Sequence, residues 1–387
     1  MIYDTIVIGA GPAGATAARQ LAKQNLKVLL LEKFALPRYK PCGGGLTSKV
    51  SGMLDFDFTA TLEDKAREVV FSYDSGPAVA QTFPRVAVWL VMRDKFDYLL
   101  TQKAVEAGAQ LRDGVQVERV ELDGDGVVVS TTTEKLRARF VVGADGANGI
   151  TAKKLGLMAK RHDGAALEGE IQVSSAALEK WRGKVLFDFG GIPWGYAWIF
   201  PKAEHLSIGV GTWYPSGKVK LRDYLARFIE RQPDLREHGQ LMVKGHRLPL
   251  GGRFDQFHRG RVALIGDAAA TADPFFGEGI SFAIRSGQIV AEEIGSAMPR
   301  SEADLSRYTQ RINRELNADF LYGRLATHIF YRWPRWSFKM FIQSGGLLND
   351  AVGIIEGQSG YRELLWHTLA RAPRFVWKRI HAHAAAK

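Results

Sequence analysis

The start of the chain has a strand–helix–strand pattern. Residues 3–8 are mostly β-branched and predict a buried strand, residues 15–24 predict a helix of small residues, and residues 27–31 predict a second strand. Two later segments, 140–148 and 261–269, each run from a strand into a turn. Strands that alternate with helices predict an α/β domain with a parallel sheet.

Between these segments the hydrophobic pattern changes to short strands in which apolar and polar residues alternate. Residues 68–73, 185–189 and 206–212 have this alternation. Because successive side chains of a strand point to opposite faces, the pattern predicts a mainly antiparallel sheet. Residues 301–387 predict a helical C-terminal region.

The composition is that of an ordinary globular protein. Of 387 residues, 46% are hydrophobic and 24% charged, which excludes a disordered or collagenous chain. The one cysteine, Cys42, cannot form an internal disulfide, and no Cys/His cluster has zinc spacing, so we expect no metal. No apolar stretch reaches the ~18 residues that span a bilayer, and we expect a cytoplasmic protein without a signal peptide.

The net charge of +11 is concentrated near the C-terminus. From residue 320 onward, ten Lys or Arg stand against three acidic residues, and four of the nine Trp lie there too. Basic residues mixed with aromatic rings, as in residues 332–339, suit an anionic membrane surface. The alternative is a basic helical tail whose rings pack on the main body. We expect no binding to nucleic acid, the other polyanion that a basic patch can meet.

A glycine-rich turn follows the first predicted strand. It reads Gly9-Ala-Gly11-Pro12-Ala13-Gly14 and opens the predicted helix. In such a turn Gly9 permits the tight bend, Gly11 lets the backbone approach a pyrophosphate, and Gly14 allows the helix to pack closely on the strand. The helix N-terminus then faces the phosphates, so the motif predicts a dinucleotide site.

An acidic residue ends the second predicted strand. Glu32 lies where a carboxylate accepts hydrogen bonds from an adenosine ribose, and we expect Lys33 at the same site. The turn and the acid together do not distinguish FAD from NAD.

The second half of the chain favours a flavin. Asp267 follows a predicted strand and can deliver a carboxylate to ribityl hydroxyls. Gly277, Gly279 and Ile280 precede a helix predicted over about 281–297, so bare N–H groups near its start suit the flavin pyrimidine edge, which is negative when reduced.

In this order the segments resemble FAD-dependent oxidoreductases of the para-hydroxybenzoate-hydroxylase fold, over at least the first 300 residues. The resemblance implies FAD contacts in the turn with Asp145 and Gly146 and in the segment with Asp267. It also implies that Arg93 heads a helix beside the FAD, and that Val117, at the end of a strand, contacts the adenine.

Two further motifs narrow the choice. The loop Lys-Pro-Cys42-Gly43-Gly44-Gly-Leu follows the second strand. A second motif has a seven-residue spacer between its two parts and contains Tyr196, Trp198, Phe200, Pro201, Gly209 and Gly211. Together they resemble the geranylgeranyl reductase family, whose signature is Tyr-x-Trp-x-Phe-Pro, seven or eight residues, then Gly-x-Gly. The resemblance places the cysteine–glycine loop beside the FAD and the second motif at a polyprenyl substrate.

The second motif also has a physical interpretation of its own. Alternate residues of a strand share a face, so Tyr196, Trp198 and Phe200 would form an uncharged aromatic wall suited to an isoprenoid tail. The alternative is a sheet-core strand with ordinary aromatic packing.

Cys42 is the candidate catalytic residue. A thiol in a glycine-rich loop near the flavin can donate a proton or orient the substrate, and the alternative is a small residue chosen for fit. The sequence shows no evident carboxylic acid for the proton, which leaves Cys42 and water. We expect His205 and His246 in loops or on the surface.

The motifs imply an α/β fold with a discontinuous, Rossmann-type FAD-binding domain, an antiparallel-sheet substrate domain and a helical, basic C-terminal region. The expected bounds are 1–66, 91–165 and 252–300 for the first, 67–90 and 166–251 for the second, and 301–387 for the third. A second dinucleotide fingerprint is absent, so NAD(P)H or another reductant would bind transiently.

The resemblance implies a reductase that saturates isolated C=C bonds of a geranylgeranyl-type chain by hydride transfer from reduced FAD. The alternatives are a flavin-dependent monooxygenase or halogenase on the same fold, or an accessory electron-transfer flavoprotein. Halogenases have Trp-x-Trp-x-Ile-Pro where this chain has Tyr196 and Phe200. We expect an isoprenoid or polyprenyl-lipid partner, peripheral contact with the cytoplasmic membrane face, and a monomer or small oligomer.

Overall fold

The computed structural model describes residues 2–158, 161–213, 219–300 and 304–370. Its strands are β1 (Ile2–Ile8), β2 (Val28–Leu31), β3 (Gly45–Thr47), β4 (Leu62–Ala66), β5 (Glu68–Tyr73), β6 (Val79–Thr82), β7 (Val88–Val91), β8 (Gln110–Arg112), β9 (Val117–Asp123), β10 (Gly126–Thr131), β11 (Lys135–Gly143), β12 (Asp163–Ile171), β13 (Lys184–Phe189), β14 (Gly195–Pro201), β15 (Leu206–Thr212), β16 (Leu241–Pro249), β17 (His258–Arg259) and β18 (Val262–Leu264). Its α-helices are α1 (Pro12–Ala22), α2 (Arg93–Glu106), α3 (Thr151–Lys154), α4 (Ser175–Trp181), α5 (Leu221–Arg231), α6 (Pro233–Arg236), α7 (Ile280–Ala297), α8 (Ser306–Ile312), α9 (Ala318–Arg332), α10 (Pro334–Gln343) and α11 (Gly345–Glu356).

The first sheet has a parallel centre built on β1. Its order is β17-β18-β11-β1-β2-β8, and the β9–β10 hairpin extends from β11. Val7 in β1 pairs with Val142 on one side and Leu30 on the other, both in parallel register. The turns after β1, β2, β11 and β18 therefore meet at one edge of the sheet, which is where open α/β sheets bind ligands.

Helices α1 and α7 lie together on one face of this sheet. Their apolar side chains and those of β1, β2 and β11 form one buried core. The two helices approach very closely at Gly287 of α7, where an added Cβ would lie 2.5 Å from the carbonyl oxygen of Ala13 in α1. This contact fixes the N-terminus of one helix relative to the other.

The second sheet has seven strands in the order β16-β12-β15-β14-β13-β5-β6. Neighbouring strands are antiparallel except for β13 and β5. The three predicted short strands correspond to β5, β13 and β15, but the alternating exposure predicted for β13 and β15 is wrong, because both faces of these strands are buried. Ile199 and Ile208 of β14 and β15 share a core with Phe228 of α5, because helices cover the outer face of the sheet.

A small third sheet, β3-β7-β4, crosses one of the predicted domain boundaries. β7 pairs with β3 and β4, which precede residue 67, whereas the sequence assigns residues 67–90 to the substrate domain. The chain therefore leaves the second sheet after β6. The domain bounds stay a prediction.

The described part of the C-terminal region is helical and packs on the second sheet. Phe330 and Phe338 contact Phe189 with ring centroids 5.2 and 6.0 Å apart, and Phe341 lies 5.4 Å from Phe71. Within the described ranges, no helix combines the length and the hydropathy needed to cross a bilayer. The predicted α/β fold with C-terminal helices is confirmed.

Candidate active site

A cavity of about 700 Å³ lies between the carboxyl edge of the first sheet and one face of the second. The turns after β1, β2, β11 and β18 and the start of α7 line one part of it, and β12, β14 and β16 line the other. This volume is typical of cofactor and ligand sites. Both predicted domains therefore contribute to one continuous cavity.

In the glycine-rich turn, two glycines have no room for a side chain, whereas the third borders free space. A Cβ at Gly14 would lie 1.9 Å from the Gly9 carbonyl oxygen, and one at Gly9, where φ is +104°, would lie 2.4 Å from the Ala144 carbonyl oxygen. At Gly11 the nearest atom to an added Cβ is Arg38 Nη2, 3.7 Å away, and this residue lines the cavity. The fold therefore requires Gly9 and Gly14. At Gly11 the missing side chain leaves a concave space on the cavity that fits a ligand, and we call this space the cradle.

Helix α1 begins directly behind this cradle. Pro12 and Ala13 form its first turn and line the cavity. The first turn has no acidic residue, and none of the described side chains caps it. Its unpaired N–H groups and the positive end of the helix dipole therefore suit the pyrophosphate of a dinucleotide.

Glu32 lies on the cavity where β2 ends. Its Oε2 accepts a hydrogen bond from the Ala10 N–H at 2.9 Å, and its Oε1 accepts one from the Phe34 N–H at 3.1 Å. Arg38 Nε lies 3.8 Å from Oε2. The adjacent Lys33 also lines the cavity. Glu32 thus holds two turns in place beside the cavity. The ribose contact expected for Glu32 and Lys33 stays a prediction.

Val117 lines the cavity from a different strand position than the sequence predicts. It begins β9 rather than ending a strand, because the turn at Gly114, where φ is +68°, leads into β9. Val115 and Gln116 line the cavity beside it. The adenine contact expected for Val117 stays a prediction.

Arg93 begins α2 and is held rigidly. Its Nε and Nη2 donate to the two carboxylate oxygens of Asp97 at 2.7 and 2.8 Å. Arg38 Nη1 donates to the same carboxylate at 3.2 Å. Arg93 also interacts with the side chain of Cys42. The bidentate pair holds the guanidinium group of Arg93 in a fixed position on the cavity wall.

Asp145 and Gly146 lie on the cavity in the turn after β11. Asp145 Oδ2 accepts hydrogen bonds from the N–H and the hydroxyl of Thr151, both at 2.8 Å. Its Oδ1 is buried and has no hydrogen-bond partner among the described residues. A buried carboxylate oxygen without a donor is rare.

Asp267 forms a charged cluster with two other residues of the cavity. His246 Nε2 lies 3.5 Å from Asp267 Oδ2 and 3.1 Å from Lys40 Nζ. Burial raises the pKa of Asp267, but the hydrogen bond from His246 and the charge of Lys40 outweigh it and lower the pKa to about 2. Asp267 is therefore an anion at neutral pH, able to accept hydrogen bonds from ribityl hydroxyls. The prediction that His246 lies in a loop or on the surface is wrong, because it lies in β16 and lines the cavity.

The start of α7 also faces the cavity. Gly277, with φ of +68°, Gly279 and Ile280 line it, and Ile280 is the first helical residue. Glu278 Oε1 accepts a hydrogen bond from the Ser281 N–H at 2.8 Å, which caps one free donor. The remaining N–H groups suit an acceptor-rich ring edge.

The aromatic residues of β14 form a wall of the cavity. Tyr196, Trp198 and Phe200 all line it, with successive ring centroids 6.2 and 6.3 Å apart. Phe187 of β13 joins them, 5.4 Å from Tyr196 and 5.6 Å from Phe200. We call these four residues the aromatic wall. It carries no charged group.

Pro201, Gly209 and Gly211 lie behind the aromatic wall rather than on the cavity. A Cβ at Gly209 would lie 2.0 Å from Trp198 Cζ2, so the indole covers Gly209. The nearest atoms to an added Cβ at Gly211 belong to Trp213, 3.7 Å away. The glycines of this motif leave room for the rings that line the cavity.

The loop with Cys42, Gly43 and Gly44 lies against the aromatic wall. A Cβ at Gly43 would lie 3.0 Å from both Trp198 and Phe200. Cys42 is half-buried, and its Sγ accepts a hydrogen bond from the Gly44 N–H at 3.3 Å. All three residues line the cavity. The thiol is thus close to both the expected cofactor and the expected substrate.

Comparison with known proteins gives the family. The profile of the FAD binding domain family matches residues 2–189. Digeranylgeranylglycerophospholipid reductase 3 of Methanosphaera stadtmanae is 30% identical over 334 residues, which cover 82% of this chain and 84% of that protein. Geranylgeranyl diphosphate reductase of Rhodobacter capsulatus is 33% identical over 305 residues, 76% of this chain and 75% of that protein. The chain belongs to the geranylgeranyl reductase family.

Solved structures show the same fold. A geranylgeranyl bacteriochlorophyll reductase-like protein from Thermoplasma acidophilum has a TM-score of 0.79 at 24% identity, covering 97% of this chain and 98% of that one. A flavin-dependent brominase has a TM-score of 0.74 at 22% identity over the full length of both chains. Fold alone therefore does not separate reductases from halogenases. This member of the family is an FAD-dependent oxidoreductase, and the cavity residues fit FAD.

Two buried charged residues of this geranylgeranyl reductase family member were not predicted from the sequence. Glu168 in β12 is 4% exposed and lines the cavity, and Lys202, directly after β14, is fully buried. Lys202 Nζ donates to the carbonyl oxygens of Gly43 and Val91 at 2.7 and 2.9 Å. No group of three His, Cys, Asp or Glu in the described ranges could hold a metal ion.

Proposed function

We propose that this flavoprotein reduces isolated carbon–carbon double bonds of a polyprenyl chain. The observation that carries the proposal is the uncharged aromatic wall, which lines the same cavity as the FAD-binding segments. Two relatives, named as reductases of geranylgeranyl diphosphate and of digeranylgeranylglycerophospholipid, support it.

The residues around the cavity divide into a cofactor part and a substrate part. We assign the pyrophosphate to Gly11 and the start of α1, the ribose to Glu32, the ribityl chain to Asp267, and the pyrimidine edge to the start of α7. Reduced FAD, when bound, supplies a hydride. The signature aromatics Tyr196, Trp198 and Phe200 bury the chain beside it.

An isolated double bond accepts hydride poorly, so the protein must position it and exclude water. The aromatic wall and the Cys42 loop pack against each other at Gly43, where an added Cβ would lie 3.0 Å from Trp198 and Phe200. Burial of a prenyl chain there contributes ~0.8 kcal/mol for each CH₂ group. NAD(P)H or another reductant would regenerate the reduced cofactor by transient binding.

The test uses the purified holoprotein, reduced with dithionite without oxygen. Adding geranylgeranyl diphosphate, or digeranylgeranylglycerophospholipid in micelles, should reoxidise the flavin. The recovered lipid should be heavier by two hydrogen atoms for each reduced bond in mass spectrometry. A flavin that stays reduced with both lipids contradicts the proposal. Oxygen-dependent NAD(P)H consumption stimulated by a phenol would instead indicate a monooxygenase.

We also propose a peripheral membrane contact through the junction of α9 and α10. Arg332, Arg335 and Lys339 are exposed there, and Trp333 is 56% exposed. Phe338 in the same segment is half-buried, and its ring centroid lies 5.4 Å from that of Tyr73. The segment therefore combines a packed ring with exposed cations. Trp377 lies outside the described residues.

Replacing Arg332, Arg335 and Lys339 together with Gln should weaken binding to phosphatidylglycerol vesicles by about 50-fold. Each cation near an anionic surface contributes ~1 kcal/mol to the free energy of membrane binding. Arg335 also interacts with Tyr73, so we expect it to contribute less than the other two. Flotation at two salt concentrations measures the change, and the FAD content should stay the same.

The matched control replaces three exposed cations of the first domain, Arg119, Lys135 and Lys154, with Gln. This variant has the same net charge as the first, and we expect it to float like the wild type. If both triple variants lose binding equally, or if wild type binds phosphatidylcholine as well as phosphatidylglycerol, the α9–α10 junction is not the contact.

A further inference from the structure

We propose that Glu168 is the acid that gives a proton to the double bond. This assignment rests on the proposed function and names the proton donor that the sequence left open. Glu168 lines the cavity, and its side chain is 4% exposed.

The position of Glu168 in the sheet brings it to the aromatic wall. Glu168 pairs with Gly209 in β15, and Gly209 pairs with Trp198 in β14, so the three residues form one row across the sheet. Residues in one such row share a face of the sheet. Because Gly209 has no side chain and the Trp198 indole covers it, no other side chain of the row separates the carboxyl group from the indole. A chain held on the wall therefore lies next to Glu168.

Hydrogen bonds from three directions hold the carboxyl group in place. Its Oε2 accepts from the Cys42 N–H at 2.6 Å and from the Tyr39 hydroxyl at 3.2 Å. Its Oε1 accepts from the Ser207 hydroxyl at 3.1 Å. The first contact joins Glu168 to the loop expected beside the flavin. Tyr39 is 38% exposed, which connects the buried carboxyl to solvent.

The charged groups around Glu168 have opposite effects on its pKa. Lys202 faces Glu168 from the end of β14, Lys244 lies opposite it on β16, and Glu170 is two residues along β12. Burial raises the pKa of Glu168 to about 7, helped by the charge of Glu170, although the Cys42 N–H, Lys202 and Ser207 act in the other direction. The ordinary glutamate pKa is about 4.3. Near neutral pH Glu168 therefore holds a proton in a substantial fraction of molecules.

The step balances with the reductant already assigned. Reduced FAD, when bound, would supply the hydride for a C–H bond at one alkene carbon. Glu168 supplies the proton, which the π electron pair binds to form a C–H bond at the other carbon. The two electrons of the broken O–H bond stay on Glu168, which becomes a carboxylate. The buried Lys202 ammonium stabilises this carboxylate. Tyr39 then returns a proton from solvent.

The central variant is Glu168→Gln. The amide has the shape of the protonated acid and can keep the hydrogen bonds to Cys42 and Ser207, but it cannot give up a proton. We expect reoxidation of the dithionite-reduced enzyme by geranylgeranyl diphosphate to slow by about 100-fold. FAD content and the rate of flavin reduction by dithionite should not change.

The matched control is Glu179→Gln in α4, whose side chain is 81% exposed and does not line the cavity. We expect its rate to stay within about threefold of wild type, since general acid catalysis requires contact with the reacting group. In wild type the rate should fall as pH rises through about 7, because only the protonated acid acts. In Glu168→Gln the profile should be flat.

A titration independent of turnover follows the carboxyl itself. In protein labelled with ¹³C at the glutamate carboxyl, one NMR signal should titrate near pH 7, both with and without FAD. That signal should be absent in Glu168→Gln and present in Glu179→Gln.

Four results would overturn the assignment. The first three are a Glu168→Gln variant that retains the wild-type rate and pH profile, a Glu168 signal that titrates near 4, and a Cys42→Ser variant that abolishes reoxidation while Glu168→Gln does not. In the last case the thiol is the acid. If wild-type enzyme is not reoxidised by geranylgeranyl diphosphate or by digeranylgeranylglycerophospholipid, the proposed function fails first and Glu168 has no such role.

Discussion

Replacing Gly14 with alanine is expected to abolish FAD binding. The new methyl carbon would lie 1.9 Å from the Gly9 carbonyl oxygen, and Gly9 cannot move away because it is itself pressed against Ala144. Helix α1 must therefore shift off β1, which moves its N-terminal N–H groups away from the cavity. Overpacking of this kind costs ~1–3 kcal/mol or more in stability. The bound flavin after desalting, read from its visible absorbance, and the thermal midpoint measure both effects.

Gly11→Ala is the matched variant in the same turn. Its methyl carbon would meet only Arg38 Nη2 at 3.7 Å, so the FAD-free protein should unfold at the wild-type temperature. It would occupy the cradle, however, and FAD affinity should fall about tenfold or more, because the backbone can no longer approach the pyrophosphate. Full FAD affinity in Gly11→Ala would show that the cradle is not the pyrophosphate site.

Removing the indole of Trp198 should slow reoxidation by a polyprenyl substrate by about 100-fold, because a misplaced double bond loses its alignment with the hydride source. The ring contacts Tyr196 and Phe200 and covers Gly209, so Trp198→Ala opens the centre of the aromatic wall. FAD content and the flavin spectrum should stay near normal. Stopped-flow absorbance of the reduced enzyme mixed with geranylgeranyl diphosphate gives the rate.

Trp194→Ala separates this effect from loss of stability. Trp194 lies in the same sheet region and contacts His328 and Tyr331, but it does not line the cavity. Both variants should lower the unfolding temperature, and only Trp198→Ala should slow reoxidation. Equal losses of FAD and rate in Trp198→Ala would make Trp198 a fold residue and would remove the main support for the polyprenyl assignment.

The sequence could predict the cofactor part of the cavity because its constraints are local. The turn from Gly9 to Gly14 is set by backbone contacts within a few residues and by one neighbouring strand, and the short-range pattern carries that information. The start of α2 at Arg93 was predicted by the family resemblance rather than by a local pattern.

Glu168 and Lys202 could not be predicted because their environment is assembled from distant segments. In β12 the sequence Leu-Glu168-Gly-Glu170 alternates as a strand with a solvent-facing polar side would. Only the packing of the Cys42 loop and Tyr39 over that face buries Glu168. Likewise, the outer face of β15 is buried by α5, which the strand pattern alone does not show.

The contact of Gly287 with α1 has a consequence for the order of events in turnover. It joins the helix whose N-terminus we assign to the pyrophosphate and the helix whose start we assign to the flavin pyrimidine edge, and their separation is therefore set by backbone against backbone. For the proposed polyprenyl substrate, we expect the opening that admits the chain on the other side, where α9 and α10 cover the second sheet through aromatic side chains. Such side-chain packing can open while the helix pair stays closed. FAD held between the two helices would then stay in place while one lipid is exchanged for the next.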